Sequence, residues 1–342
     1  MKKQILTAFV LATVGCSVPG QAAFAQGIDP QCPPGTTNLF GDPDNTKIAQ
    51  DACQKAIDLF LYVAPQLGAI LAGGSATQGM TGTLGGLGHF SAGIRANGIR
   101  GSLPDVDKIV PATRGAEQST YSITDAVFGL PTGDFAIGLF RGLPLGLTNL
   151  GGIDLLVSAA YLPTYNNSSL DIAVPSGSWK VGYGVKVGIV QEGPLIPGVS
   201  FSFLTRALPM VRVTGMSGDD RLVVDSLKAT TRSWRLVAGK SLLFIGAAAG
   251  IGQDRYDTDA TISVTVAPRT LTPGGSGGPL PLSQYLTRTN AFGSVWLNLQ
   301  IMKIVGEIGR VSGGEVLTYN QFNGPAASAT RTYGSVGINF GF

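Results

Sequence analysis

The chain has 342 residues, with 24 Lys+Arg against 21 Asp+Glu, a formal net charge of +3 and one histidine. Charged residues make up only 13% and mean hydropathy is +0.25. This excludes a basic field for nucleic acid, and it is too little charge for an ordinary soluble surface.

The N-terminus begins with Lys2 and Lys3, an apolar run from Ile5 to Val14, and small residues at Ala23 and Ala25. This spacing predicts a secretory signal peptide over 1–25, cleaved after an A-x-A site to leave Gln26 first. Without Lys2 and Lys3 the balance is 22 against 21, or +1. Cys16 after Gly15 offers a lipoprotein alternative, poorly served by Thr13. Cys32 and Cys53 then form an even pair, read as one disulfide in an oxidising compartment. Free thiols and a metal site are the alternatives, and two thiols with no nearby histidine suit zinc badly.

Residues 26–84 are expected to form an N-terminal segment. Pro30, Pro33, Pro34, Gly35, Gly41 and Pro43 make its start irregular. The stretch 46–74 is helical in period, with Ile48, Ala52, Ile57, Phe60, Leu61, Ala64, Leu67 and Leu71 on one broad apolar stripe. Pro65 is expected to kink or break it, and Gly73 and Gly74 to end it.

From residue 85 to 342 the period becomes two. In SGSWKVGYGVKVGIVQ, Trp179, Val181, Tyr183, Val185, Val187 and Ile189 share one face, with Lys180, Gly182, Gly184, Lys186 and Gly188 on the other. Similar alternation runs through GVSFSFLTR, DATISVTV, NAFGSVWLNLQI and KIVGEIGRV, the last placing Glu307 opposite Ile304 and Ile308. The chain ends GSVGINFGF, with Val336, Ile338, Phe340 and Phe342 on one face. After the signal there is no stretch of about 20 unbroken apolar residues, the length of a membrane helix. The fold expected is all-β: a transmembrane antiparallel β-barrel of about 12–14 strands, with an N-terminal helical plug. A soluble β-sandwich or a solenoid would share the alternation but not the low charge.

The terminal strand resembles the C-terminal signature of bacterial outer-membrane proteins, with Phe340 and Phe342 as the barrel-assembly signal. That implies the outer membrane of a Gram-negative cell, with membrane lipid and the barrel-assembly machinery as partners. The layout of signal, helix, strands and terminal Phe342 resembles the long-chain fatty-acid transporter family. That resemblance implies a helical hatch in the lumen and passive movement of small hydrophobic or amphipathic ligands. The chain has no Asn-Pro-Ala tripeptide beside its helix, so no binding residue is carried over. Phe60, Leu61, Leu67 and Ile70 are the candidate apolar lining of a plug. Arg95, Asp154, Lys180, Lys186, Arg206, Arg235 and Glu307 are the charges expected to face inward.

His89-Phe90-Ser91-Ala92-Gly93 puts His89 and Ser91 on one strand face, and resembles the H-x-S-x-G neighbourhood of outer-membrane phospholipases and lipid A deacylases. Those families follow the serine with Asn, where this chain has Ala92. Lipid hydrolysis through His89 and Ser91 is therefore the alternative function, beside a structural barrel without transport. No cofactor, metal site or nucleic-acid partner is expected, and the primary expectation is a non-enzymatic channel.

Overall fold

The computed structural model describes residues 27–34, 45–77, 79–146, 148–168, 170–269 and 274–341. The expected signal peptide and Phe342 lie outside these residues. One helix, α1 (Asn45–Ala72), precedes the strands. These are β1 (Phe90–Pro104), β2 (Thr120–Tyr121), β3 (Ile123–Phe140), β4 (Leu143–Leu145), β5 (Thr148–Tyr161), β6 (Tyr165–Asn166), β7 (Leu170–Ala173) and β8 (Trp179–Val190). Then follow β9 (Gly198–Ala207), β10 (Val211–Ser217), β11 (Asp220–Leu242), β12 (Ile245–Val266), β13 (Gly275–Leu299), β14 (Met302–Ser312), β15 (Gln321–Phe322) and β16 (Arg331–Gly341).

The antiparallel pairings return on themselves. They run β1, β3, β5, β8, β9, β11, β12, β13, β14, β16, and β16 pairs with β1 from Ser91↔Gly341 to Ile99↔Tyr333. Each of these ten strands is paired on both edges, so the ring has no open edge. Ten is fewer than the dozen or more expected. The reason is length: β11, β12 and β13 span 23, 22 and 25 residues, so sequence that would supply further strands instead lengthens these. Short β10 extends β9 along the same edge of β11, and β7 and β6 continue outward from it.

The ring has two unlike ends. At one, tight turns join β11 to β12 across Leu243–Phe244 and β13 to β14 across Gln300–Ile301. At the other lie the longer connections 105–119, 162–178, 267–274 and 313–330. Around the turn end the outward face is apolar: Ile94, Phe135, Ile137, Leu155, Val185, Phe201, Leu236, Ile251, Val295, Ile308, Val336 and Phe340 are all exposed. On β8 the outward series from Trp179 to Ile189 covers ten residue steps, or about 34 Å of strand. At a tilt of about 40° that is roughly 26 Å of height, the thickness of a barrel's apolar band.

Above this belt the strands turn inside out. On β12 the outward positions change from Ile245, Ala247, Ala249 and Ile251 to Gln253, Arg255, Asp257 and Asp259. The inward positions change the other way, from Gly250, Gly252 and Asp254 to Ala260 and Ile262. The upper inward face forms an apolar core with α1, in which Cys53, Ile57, Phe60 and Ala64 meet Ala260, Ile262, Leu280 and Leu282.

Helix α1 packs against β1, β3, β9, β11, β12, β13 and β16, strands on different sides of the ring. It therefore lies inside. Pro65 does not break it. A proline donates no hydrogen bond to the carbonyl four residues back, and the orphaned Leu61 carbonyl accepts instead from Gln284 Nε2 of β13 at 3.2 Å. Gly68 is required by proximity, because a Cβ there would overlap the Tyr256 ring of β12. The first ring strand begins at Phe90; before it, Gly73, Ser75, Thr77, Gly79, Met80 and Leu84 are hydrogen-bonded to ring strands.

Candidate functional site

The lumen is where the sequence's inward charges converge. The last turn of a helix leaves carbonyls without intrahelical partners and carries the negative end of its dipole. Three arginines from three ring strands meet that end of α1. Arg206 of β9 donates to Ala72 O at 2.8 Å and Gly74 O at 2.9 Å. Arg235 of β11 donates to Ala72 O at 2.6 Å, and Arg95 of β1 to Gly73 O at 2.6 Å. All three side chains are buried. Arg95 is ion-paired with Asp134, and Arg235 with Glu307 at 3.2 Å. Glu307 also accepts from Ser75 Oγ at 2.7 Å and Tyr333 OH at 3.0 Å. Arg206 has no carboxylate within ion-pair distance among the described residues, so the helix carbonyls are its counter-charge. The chain turns here at Gly74, whose φ of +71° favours glycine, with no room for a Cβ beside Arg95 and Asn97.

Toward the turn end the wall holds Thr77 and residues 79–84. Lys186 Nζ donates to Thr77 Oγ1 at 2.9 Å and Met80 O at 2.8 Å. Thr81 Oγ1 donates to Glu192, Thr83 N to Gln191, and Leu84 N to Asp154. Among the described residues, the space left around the clamp is a cavity of about 40 Å³ beside Ser75, Lys186, Ser202, Arg235 and Trp296. The described residues leave little room around the clamp itself.

Toward the loop end, two acidic residues about two turns apart on one side of α1 gather the long connections. Asp51 accepts from Ala112 N at 2.6 Å and Glu117 N at 3.1 Å, and pairs with Lys55 at 2.5 Å. Asp58 accepts from Tyr319 N at 3.1 Å, Asn320 N at 2.9 Å and Asn320 Nδ2 at 2.6 Å. Burial pushes the Asp58 carboxyl above its ordinary range, against the pull of those hydrogen bonds. The Cys32–Cys53 disulfide, Cα–Cα 5.6 Å, ties residues 27–34 to the helix at this end. Beside it lies a second cavity, about 170 Å³, between Ala52, Ala56 and Leu59 of α1 and Val213, Leu222 and Val264 of the wall.

The expected site residues are thus divided. Phe60 and Ile70 are buried, and Leu61 and Leu67 pack against the cores at the helix's two ends. They face the wall and fill space; they do not line an open passage. Arg95, Lys186 and Arg235 are buried in the lumen. Lys180 is the exception: it shares the inward parity of Lys186 but is exposed, at the start of β8. Phe340 is outward and exposed, opposite Ala92 and Met302. Sequence reasoning missed Asp51, Asp58 and Gln284. The visible signal for the first two is a pair of acids seven residues apart on a helix otherwise rich in apolar residues; Gln284 has no local signal.

His89 and Ser91 do not meet as a nucleophile and base. Ser91 is buried and donates to Asn339 Oδ1 at 2.6 Å, while His89 is exposed just before β1. Asp105 lies at the opposite end of β1, bonded to Lys108 and Thr124.

No family model matches the sequence, and no curated protein matches it. Among solved structures, the chain is similar to Ail, the attachment invasion locus protein of Yersinia pestis, at 7% identity. That alignment covers 75% of this chain and 99% of that one, with a TM-score of 0.28. The translocator domain of the autotransporter NalP from Neisseria meningitidis aligns at 11% identity over 74% and 87%, TM-score 0.34. The CymD monoaromatic hydrocarbon channel aligns at 11% over 90% and 99%, TM-score 0.22. At such scores the assignment rests on the chain's own geometry.

Proposed function

We propose that the chain is a plugged β-barrel of the Gram-negative outer membrane that admits small apolar or amphipathic molecules at its loop end, with α1 as the gate. The membrane reading rests on the closed ring and its apolar outward belt. The loop end faces outward from the cell, as the long connections of such barrels do. The observation that carries the ligand reading is the cavity of about 170 Å³ between α1 and β10–β12. It is lined chiefly by apolar side chains, beside Lys55, Asp220 and Arg221, which suits a small apolar or amphipathic occupant. Passage onward requires α1 to leave its three arginines, since the clamp leaves little open space beneath it.

Flux of a monocyclic aromatic solute into proteoliposomes tests this. The full chain is expected to pass little, and deletion of residues 46–74 to raise flux strongly. Unchanged flux after that deletion removes the transport reading. It would leave the second reading, a closed barrel that carries a cap at the cell surface, favoured by the hydrogen bonds that hold residues 51–84 to wall and loops. Catalysis is not part of this proposal, and Ser91→Ala is expected to leave any lipolytic background of the preparation unchanged.

A further inference from the structure

The outer surface carries a row of polar side chains set by strand register. Arg232 of β11 lies directly opposite Arg255 of β12. Thr205 of β9 pairs with Arg232 on the far side, and Thr287 of β13 with Arg255. Side chains opposite one another on antiparallel strands share a face, so Thr205, Arg232, Arg255 and Thr287 form one outward row across four strands. Both arginines are exposed, and among the described residues neither makes an ion pair or a hydrogen bond. Like charges directly opposed across a ladder destabilise it unless a counter-ion lies between them. The nearest acid in register is Asp257, two residues beyond Arg255 and opposite Thr230, and it pairs with neither.

The position of the row says what the counter-ion is attached to. One row toward the turn end are Phe203, Trp234, Gln253 and Thr289; the next is Phe201, Leu236, Ile251 and Ala291. Phe201 and Trp234 stack at 6.1 Å. Aromatic side chains of this kind mark the membrane–water interface of a barrel. The arginine pair therefore stands at the polar edge of the apolar belt, on the loop side. Two guanidinium forks flanked by hydroxyls suit a phosphate, which accepts paired hydrogen bonds. A free phosphate gains nothing from the apolar rows beneath, whereas a lipid lays its chains along them.

We propose that Arg232 and Arg255, with Thr205 and Thr287, clamp the phosphate of a phosphorylated lipid headgroup in the outward-facing leaflet. The proposal rests on the belt meeting lipid. The experiment is retention of lipid by the full chain in nanodiscs of zwitterionic lipid doped with a diphosphorylated glycolipid or its dephosphorylated form, read by native mass spectrometry. The phosphorylated form is expected to be retained selectively. Arg232→Gln with Arg255→Gln should weaken retention at least about tenfold, the value of one charge-assisted hydrogen bond. Arg255→Glu keeps the ladder by pairing with Arg232 and should also expel the lipid. The control Arg100→Gln, whose guanidinium instead lies 3.9 Å from Asp125, should retain it. Equal retention of both lipid forms, or unchanged retention in the double variant, overturns the clamp. Displacement by millimolar inorganic phosphate overturns the lipid source. A chain that never enters nanodiscs overturns the membrane reading itself.

Discussion

The belt half and the loop half of this barrel use the same strands for opposite purposes. Near the turn end, β11–β13 present apolar residues outward, and Ser233, Arg235, Asn290 and Asp254 inward. Near the loop end the same strands present Arg255, Asp259 and Ser283 outward, and Ala260, Ile262 and Leu282 inward. The helix packs in apolar cores at both ends, with Asp51 and Asp58 tied to the long connections in its first half and three arginines on its last carbonyls. On the proposed membrane reading, solvent chooses the face: lipid around the belt would let greasy residues face out at no cost, and water around the loop half would make the sheet behave as a soluble one packed on a helix.

The sharpest way to break the comparison is one substitution placed in each half. Leu282→Lys buries an unpaired charge in the upper core and should cost the most, about 3–5 kcal/mol or failure to fold, as read by urea titration. Val295→Lys, outward in the belt, should cost about 2–4 kcal/mol in bilayers and little in a water-soluble setting. Equal costs at both sites in both settings would abolish the distinction. Gly68→Ala drives a methyl into the Tyr256 ring near the C-terminal end of α1, with an expected loss of about 1–3 kcal/mol.

Asp58→Ala removes the acceptor for Tyr319 N and Asn320 N and should cost a similar 1–3 kcal/mol, roughly, for the unmet donors. Faster protease cleavage within 313–330 is the readout, with the belt strands unaffected. Gln284→Leu strands the Leu61 carbonyl and should cost about 1 kcal/mol. Adding Pro65→Ala restores an intrahelical donor and should recover most of it; no recovery would mean Gln284 acts elsewhere. The smallest effect is electrostatic. Arg212 bonds both carboxylate oxygens of Asp225 and holds its pKa below the ordinary 3.8. That pair's contribution is present above the ordinary carboxylate pKa and is lost as pH falls through the lowered one. Arg212→Gln should raise the Asp225 titration midpoint, measured by carboxyl chemical shift.

Which residues share a face was legible from alternation, as with Glu307 opposite Ile304 and Ile308; which face turns inward was not, since Lys180 is exposed and Ala260 and Ile262 face the core. The helix and its Gly73–Gly74 end were also legible, and so was the cysteine pairing. Strand number was not, because β12 reads equally well as one strand of 22 residues or as two, and only pairing partners separate these. Nor was the fate of Pro65, since its compensating donor is 219 positions away in sequence terms, at Gln284.

Period and composition by themselves determined a strand-rich chain with unlike alternate faces, preceded by a helix needing cover, because alternation is a local property of each strand. Only the tertiary structure decided that the ring has ten strands, that the helix fills it, and that Arg95, Arg206 and Arg235 converge on one helix end. Those depend on which distant segments become neighbours when the ring closes, and register between strands is written in no single stretch of chain.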